Sequence, residues 1–170
     1  MMTTTRENLV NWLRDAHAME QQAEQMLSAQ KERLHNYPKL RTRIEKHIEE
    51  TIGQRETLER ALARLGSEPS TLKDLSGKLM AFGQAMGGMM MSDEVVKGAM
   101  SGYVFETLEI ASYTVLIAAA KAAGDAQTQQ DCEAILQQEI AMADWLRSHL
   151  PELSQAFLDR SDTPGLEAKR

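Results

Sequence analysis

Apolar residues recur at helical spacing along most of the chain, and alternation of the strand type is missing. Leu9, Leu13, Ala16, Ala23 and Leu27 share one face of a segment running from about residue 6 to residue 35. The threonines at 3–5 supply N-caps ahead of it. Asn36-Tyr37-Pro38 interrupts the pattern, and Pro38 suits the first position of a second helix, 38–65, striped by Ile44, Ile48, Leu58, Leu62 and Leu65. Gly66 and Pro69 close that helix. A third segment, 70–91, is weakly amphipathic and broken by Gly77, Gly83, Gly87 and Gly88. The fourth, 93–123, turns Ala99, Tyr103, Ile110, Tyr113 and Ile117 to one side and ends at Gly124. The fifth, 125–149, turns Ile135, Met142 and Leu146 inward, with Pro151 as its expected stop.

Short links make the first two helices antiparallel neighbours, and the last two likewise. The long connection between the pairs carries the short third helix. The predicted fold is therefore all-α: a ferritin-like four-helix bundle with a long crossover. One domain, residues 1–150, should precede a polar, frayed tail, 151–170.

Composition narrows the function. A net charge of −6, with the cations scattered among acids, argues against a nucleic-acid partner. The one cysteine, Cys132, excludes an internal disulfide framework and fits a reducing cytoplasm. No signal region opens the chain, and no purely apolar run reaches membrane-span length, so a soluble, cytoplasmic protein without a membrane partner is expected.

The acids are the informative residues. Glu20 lies within the apolar stripe of the first helix, Glu106 and Glu109 on the core side of the fourth, and Glu139 on that of the fifth. In the second helix Glu49 points to solvent. Glu50 lies nearly at a right angle to the stripe, which can still be interior in a bundle, and His47 and Gln54 lie on the stripe's edge. For any one helix, an edge glutamate or an arginine partner is the ordinary explanation. Inward glutamates on four helices ask for more, because uncompensated buried carboxylates are prohibitive and inward cations are few, Arg55 being one. A metal pair accounts for the pattern. Oxygen ligands suit Fe, Mn, Mg or Ca, and imidazole turns the choice toward Fe or Mn.

Four stretches carry a resemblance: LRDAHAMEQQ, HIEETIGQ, FETLEIASY and LQQEIAMADWL. They resemble the YciE/YciF family of ferritin-like bacterial proteins along nearly the whole domain. The resemblance implies a dimerising bundle linked to stress responses, with a dinuclear Fe or Mn centre and ferroxidase-like activity. It places Glu20, Glu50, Glu106, Glu109 and Glu139 on the family's glutamate positions and His47 on a histidine position. This chain departs from the dimetal pattern in that no Glu-x-x-His stands at these positions: Gly53 and Gln54 follow Glu50 at three and four residues, and Met142 follows Glu139 at three.

Two readings follow. In one, those six residues are metal ligands or their supports, and O2 or peroxide is the oxidant. In the other, the site has decayed and the protein is a dimeric scaffold that meets a protein partner through the methionine-rich stretch holding Met86, Met89, Met90 and Met91. His17 and Trp12 read as edge residues, Tyr103 and Tyr113 as core, and Cys132 as a small hydrophobe.

Overall fold

The computed structural model describes residues 2–70 and 91–169. The predicted third segment, and Met86, Met89 and Met90 within it, lie outside the described residues, and with them the short helix of the crossover. Among the described residues there are four helices: α1 (Thr5–Lys31), α2 (Pro38–Arg64), α3 (Glu94–Ala123) and α4 (Ala126–Asp162). α1 packs on α2 and α3, and α4 packs on α3 and, along a looser seam, on α2. This is an all-α, ferritin-like bundle.

Local chemistry sets the helix ends. Thr4 caps α1 in a reciprocal box: Glu7 N donates to Thr4 Oγ1 at 3.2 Å, and Thr4 N donates to Glu7 Oε2 at 2.6 Å. Pro38 opens α2 at a position where its missing N–H costs nothing. Gly66 and Gly124 take positive φ, 72° and 71°, at the ends of α2 and α3.

Two boundaries correct the sequence reading. α1 ends at Lys31, short of residue 35, because the chain tightens there to bury Leu34 and Tyr37 and sends Arg33 across to Glu94 at 2.8 Å. α4 continues through Pro151 to Asp162, where a stop near residue 149 and a frayed tail were expected. A proline inside a helix costs about 3 kcal/mol. Burial of Leu153, worth roughly 1.5–3 kcal/mol, offsets much of that, and Ala156 and Phe157 pack on the same apolar cluster. The residues beyond are tied back: Tyr37 Oη donates to Ala168 O at 2.5 Å, and Lys169 Nζ lies 3.6 Å from Glu94.

The core is in two parts. One apolar cluster holds Leu9, Leu13, Leu58, Leu62, Tyr113, Leu116 and Ile135. The other holds Leu27, Tyr37, Leu40, Ile44, Val95, Met142 and Leu146. Along each helix the residues between these clusters are polar and buried: Glu20, then His47, Thr51 and Gln54, then Glu106 and Glu109, then Glu139. The fold thus closes a polar layer between two apolar ends.

Candidate metal centre

Each helix delivers its part of the layer by register. His47, Thr51 and Gln54 follow one another at four and three residues along one face of α2, and Glu106, Glu109 and Tyr113 at three and four along α3. His47, Glu106, Glu109 and Glu139 each offer a ligand-type atom, and these atoms all lie within 4.8 Å of one another. Ligands on opposite sides of one hard cation stand roughly 4–5 Å apart, twice a metal–oxygen bond. The group is therefore of a size to enclose one ion.

His47 is the hub. Its Nδ1 lies 2.8 Å from Glu50 Oε2, and its Nε2 faces Glu106 Oε2 at 3.2 Å and Glu139 Oε2 at 3.4 Å. Burial alone would lower its pKa, but bonds to Glu106, Glu139 and Glu50 raise it well above 6.5. Burial likewise raises Glu106, to about 7, against the pull of His47. Glu109 rises well above the carboxylate range through burial and the neighbouring charges of Glu20 and Glu139. Burial also pushes Glu139 upward, yet hydrogen bonds from His47 and from the Glu106 carboxyl leave it below its ordinary value. Without a metal, the shifts favour the imidazolium at His47, the carboxylate at Glu139 and the protonated acid at Glu109, with Glu106 between the two.

Glu20 stands beside this group, fully buried, and accepts a short hydrogen bond from Tyr113 Oη. Burial and Glu139 raise Glu20 well above the usual range. Glu50 stands on the other side, part-exposed, between His47 and the cations Arg43 (3.3 Å) and Lys46 (3.5 Å). Burial works against its ionisation, but His47 and Arg43 outweigh that and bring it down to about 2. The structure therefore brings together His47, Glu106, Glu109 and Glu139, and sets Glu20 and Glu50 at their flanks.

Several participants escaped the sequence reading. Gln54 Nε2 donates to Glu139 and, at 2.9 Å, to Gln138 Oε1. Its place on the stripe's edge beside His47 was the available signal. Tyr113 did not escape it: it lies on the core face as expected and, as a tyrosine within a turn or two of the centre could, it bonds a candidate ligand, Glu20. His17, read as an edge residue, is 2% exposed and meets Glu59 at 2.8 Å.

A bundle with buried carboxylates on three helices and a histidine on the fourth defines the class: a ferritin-like helical protein with the donor set of a metal centre. The chain matches the family described as "Domain of unknown function (DUF892)" over residues 4–159, and it belongs to that family, the YciE/YciF group. A protein of Xanthomonas campestris pv. campestris is 43% identical to it with a TM-score of 0.81, the match covering 94% of this chain and 100% of that one. YcfI of Rhodopseudomonas palustris is 27% identical with a TM-score of 0.72, over 85% and 94% of the two chains. The Escherichia coli stress protein YciF shares the fold at 20% identity, with a TM-score of 0.78 over 89% and 97%.

Proposed function

We propose that the polar layer is a dimetal-carboxylate centre for Fe or Mn. The observation that carries this reading is a shortage of donors to the buried oxygens: among the described residues Glu20 Oε2 and both oxygens of Glu109 have no hydrogen-bond partner, and Glu106 Oε2 and Glu139 Oε2 share the one His47 Nε2, at 3.2 and 3.4 Å. Orphaned buried acceptors are costly, and here they gather in one layer from three helices. Cations satisfy such a set where more hydrogen-bond donors are lacking, so the residues fit the metal. Glu106, Glu109, Glu139 and His47 Nε2 would hold one ion. Glu20 is the buried carboxylate nearest in role for a second, held in place by Tyr113. Glu50 would accept the hydrogen bond from His47 Nδ1–H, fixing the tautomer and ring orientation.

Bound iron would supply redox chemistry toward O2 or peroxide. The chain's own part is to hold the carboxylates, exclude bulk water and give up the protons that Glu106 and Glu109 carry in the metal-free state. The stress description of YciF supports a place in a stress response, where removal of Fe(II) or peroxide is useful. The carboxylate-rich, imidazole-poor donor set favours slow oxidation over rapid ferroxidase turnover. The homodimer implied by the resemblance would cover the outward stripe of α3, where Met100, Val104, Leu108 and Val115 are exposed.

A scaffold with a relic site is the second reading. The observation in its favour is that His47 and the retained protons already moderate the buried charge without metal. Elemental analysis separates the two. Protein purified without chelators, and again after anaerobic Fe(II) or Mn(II) addition, should hold about one to two ions per chain. A Glu20→Ala/Glu106→Ala variant should lose them. No metal in the unaltered protein after reconstitution would move the assignment to the scaffold.

A further inference from the structure

The proposed ligands are almost wholly enclosed: His47 and Glu109 are 1% exposed, Glu106 2% and Glu139 0%. A cation needs a way to them. A groove of about 490 Å³ runs along the seam between α2 and α4, the looser contact of the bundle. Two of its lining residues also bond to the buried layer. Glu50 reaches His47 Nδ1 at 2.8 Å, and Gln54 donates to Glu139. The floor of the groove is thus one side chain from the centre. A second hollow, lined by Lys39, Arg43, Lys46 and Trp145 among others, is basic and shares no residue with the four-residue group.

Three features mark the groove as a path. Its lining includes Glu49, Glu50, Glu56 and Asp131 against one arginine, Arg60; at its margins Arg43 and Lys46 pair with Glu50 and Arg64 with Asp131. The attraction for a cation therefore rests on Glu49 and Glu56, exposed and without an ion pair among the described residues. Gly53 lies in the wall, mid-helix, where a glycine weakens the helix relative to alanine. A Cβ built there would meet nothing within 4 Å, so packing does not require the glycine, whereas a large side chain would project into open groove. Finally, Gln54 is 2% exposed and its Oε1 is a buried acceptor with no partner among the described residues, while its Nε2 is fully engaged with Gln138 and Glu139. The reverse amide orientation would set oxygen against the ionised Glu139, so the orphan acceptor follows from the chemistry of the site. An unbonded carboxamide oxygen at this point is a transient ligand for a cation in passage.

We infer that the α2–α4 groove is the route by which a divalent cation reaches the buried carboxylates, with Gln54 as its gate. The carboxamide closes the route by bonding to Gln138 and Glu139, and opens it by releasing both. This inference rests on the metal-centre reading. The test is the rate at which metal-free protein takes up Mn(II), followed by loss of the free-ion electron paramagnetic resonance signal, and the rate of its release to a chelator. Gly53→Phe should slow uptake and release by about tenfold, the effect of roughly 1.4 kcal/mol added to the barrier of passage, and leave the final Mn(II) per chain unchanged. Gln54→Ala should accelerate both. Wild-type rates in both variants, at wild-type stoichiometry, would overturn the route. Failure of the unaltered protein to take up Mn(II) at all would instead remove the metal centre, and the route with it. Circular dichroism of each variant guards against reading a folding defect as a blocked path.

Discussion

Glu109 shows most directly what the buried layer costs. Both of its oxygens lie buried without a donor, and burial with the charges of Glu20 and Glu139 keeps it protonated. Glu109→Gln keeps the shape and removes the ionisable group. The metal-free variant should therefore be more stable by about 1 kcal/mol, a rise of roughly 2–4 °C in Tm for a chain of this size. The same variant should lose the added stability that Mn(II) gives the unaltered protein. A thermal melt with and without Mn(II) reads both effects, and a lower metal-free Tm would contradict the account.

The same residues set the pH dependence. An acid whose folded pKa exceeds its unfolded value binds more protons when folded, so stability falls as pH rises through that interval. For Glu106 the interval runs from 4.5 to about 7. His47 acts in the same direction: its contribution is complete below 6.5 and is lost as pH climbs through its raised folded pKa. Glu50 acts oppositely, contributing stability above 4.5 that is lost as pH falls toward about 2. The metal-free protein should lose stability as pH rises from 4.5 to about 7 through Glu106 and from 6.5 upward through His47, while Mn(II) affinity increases, because binding displaces those protons. Titration calorimetry in buffers of different ionisation heat should show proton release on binding.

At the scale of the element, α4 carries more than its ligand. Its last three turns bury Leu153, and the residues after it return to α2's entry and α3's start through Ala168, Glu167 and Lys169. Arg33 and Lys169 both meet Glu94, which is 7% exposed. Truncation after residue 150 should destabilise the bundle by about 2–5 kcal/mol, through the lost leucine and a buried Glu94 left with one cation in place of two. Chemical denaturation of the truncated chain measures it. Stability equal to that of the full chain would return residues 151–169 to the role of a dispensable tail.

At the scale of the molecule, α3 is unusual. It is 30 residues long, and its most apolar window has a mean hydropathy of 1.3, enough by length and composition to cross a membrane. Its inner side explains part of that: Phe105, Tyr113 and Leu116 lie in the core, and Glu106 and Glu109 at mid-helix turn into the polar layer. Its outer side explains the rest, since Met100, Val104, Leu108 and Val115 recur at four, four and seven residues along one exposed face. A homodimer through this face should sediment at twice the chain mass. Val104→Lys/Leu108→Lys should shift it to monomer without loss of helical content. A monomeric unaltered protein would remove that assignment.

Much of this was legible from one-dimensional pattern, because helix chemistry is local. Apolar period, Pro38, Gly66 and Gly124 determined two of the four described helices almost to the residue, and period alone turned Glu20, Glu106, Glu109 and Glu139 inward. Pro151 misled for a physical reason. Its local penalty is readable, whereas the burial of Leu153, Ala156 and Phe157 that offsets it depends on a cluster shared with residues more than a hundred positions earlier. The site divides in the same way. The sequence by itself determined which residue types face the interior of each helix. Only the tertiary structure decided which atoms meet: His47 against three carboxylates, Tyr113 on Glu20, and Gln54 between the groove and Glu139. Those pairings depend on the axial offset between helices, and an offset is set by how two apolar clusters pack rather than by any single helix's own period.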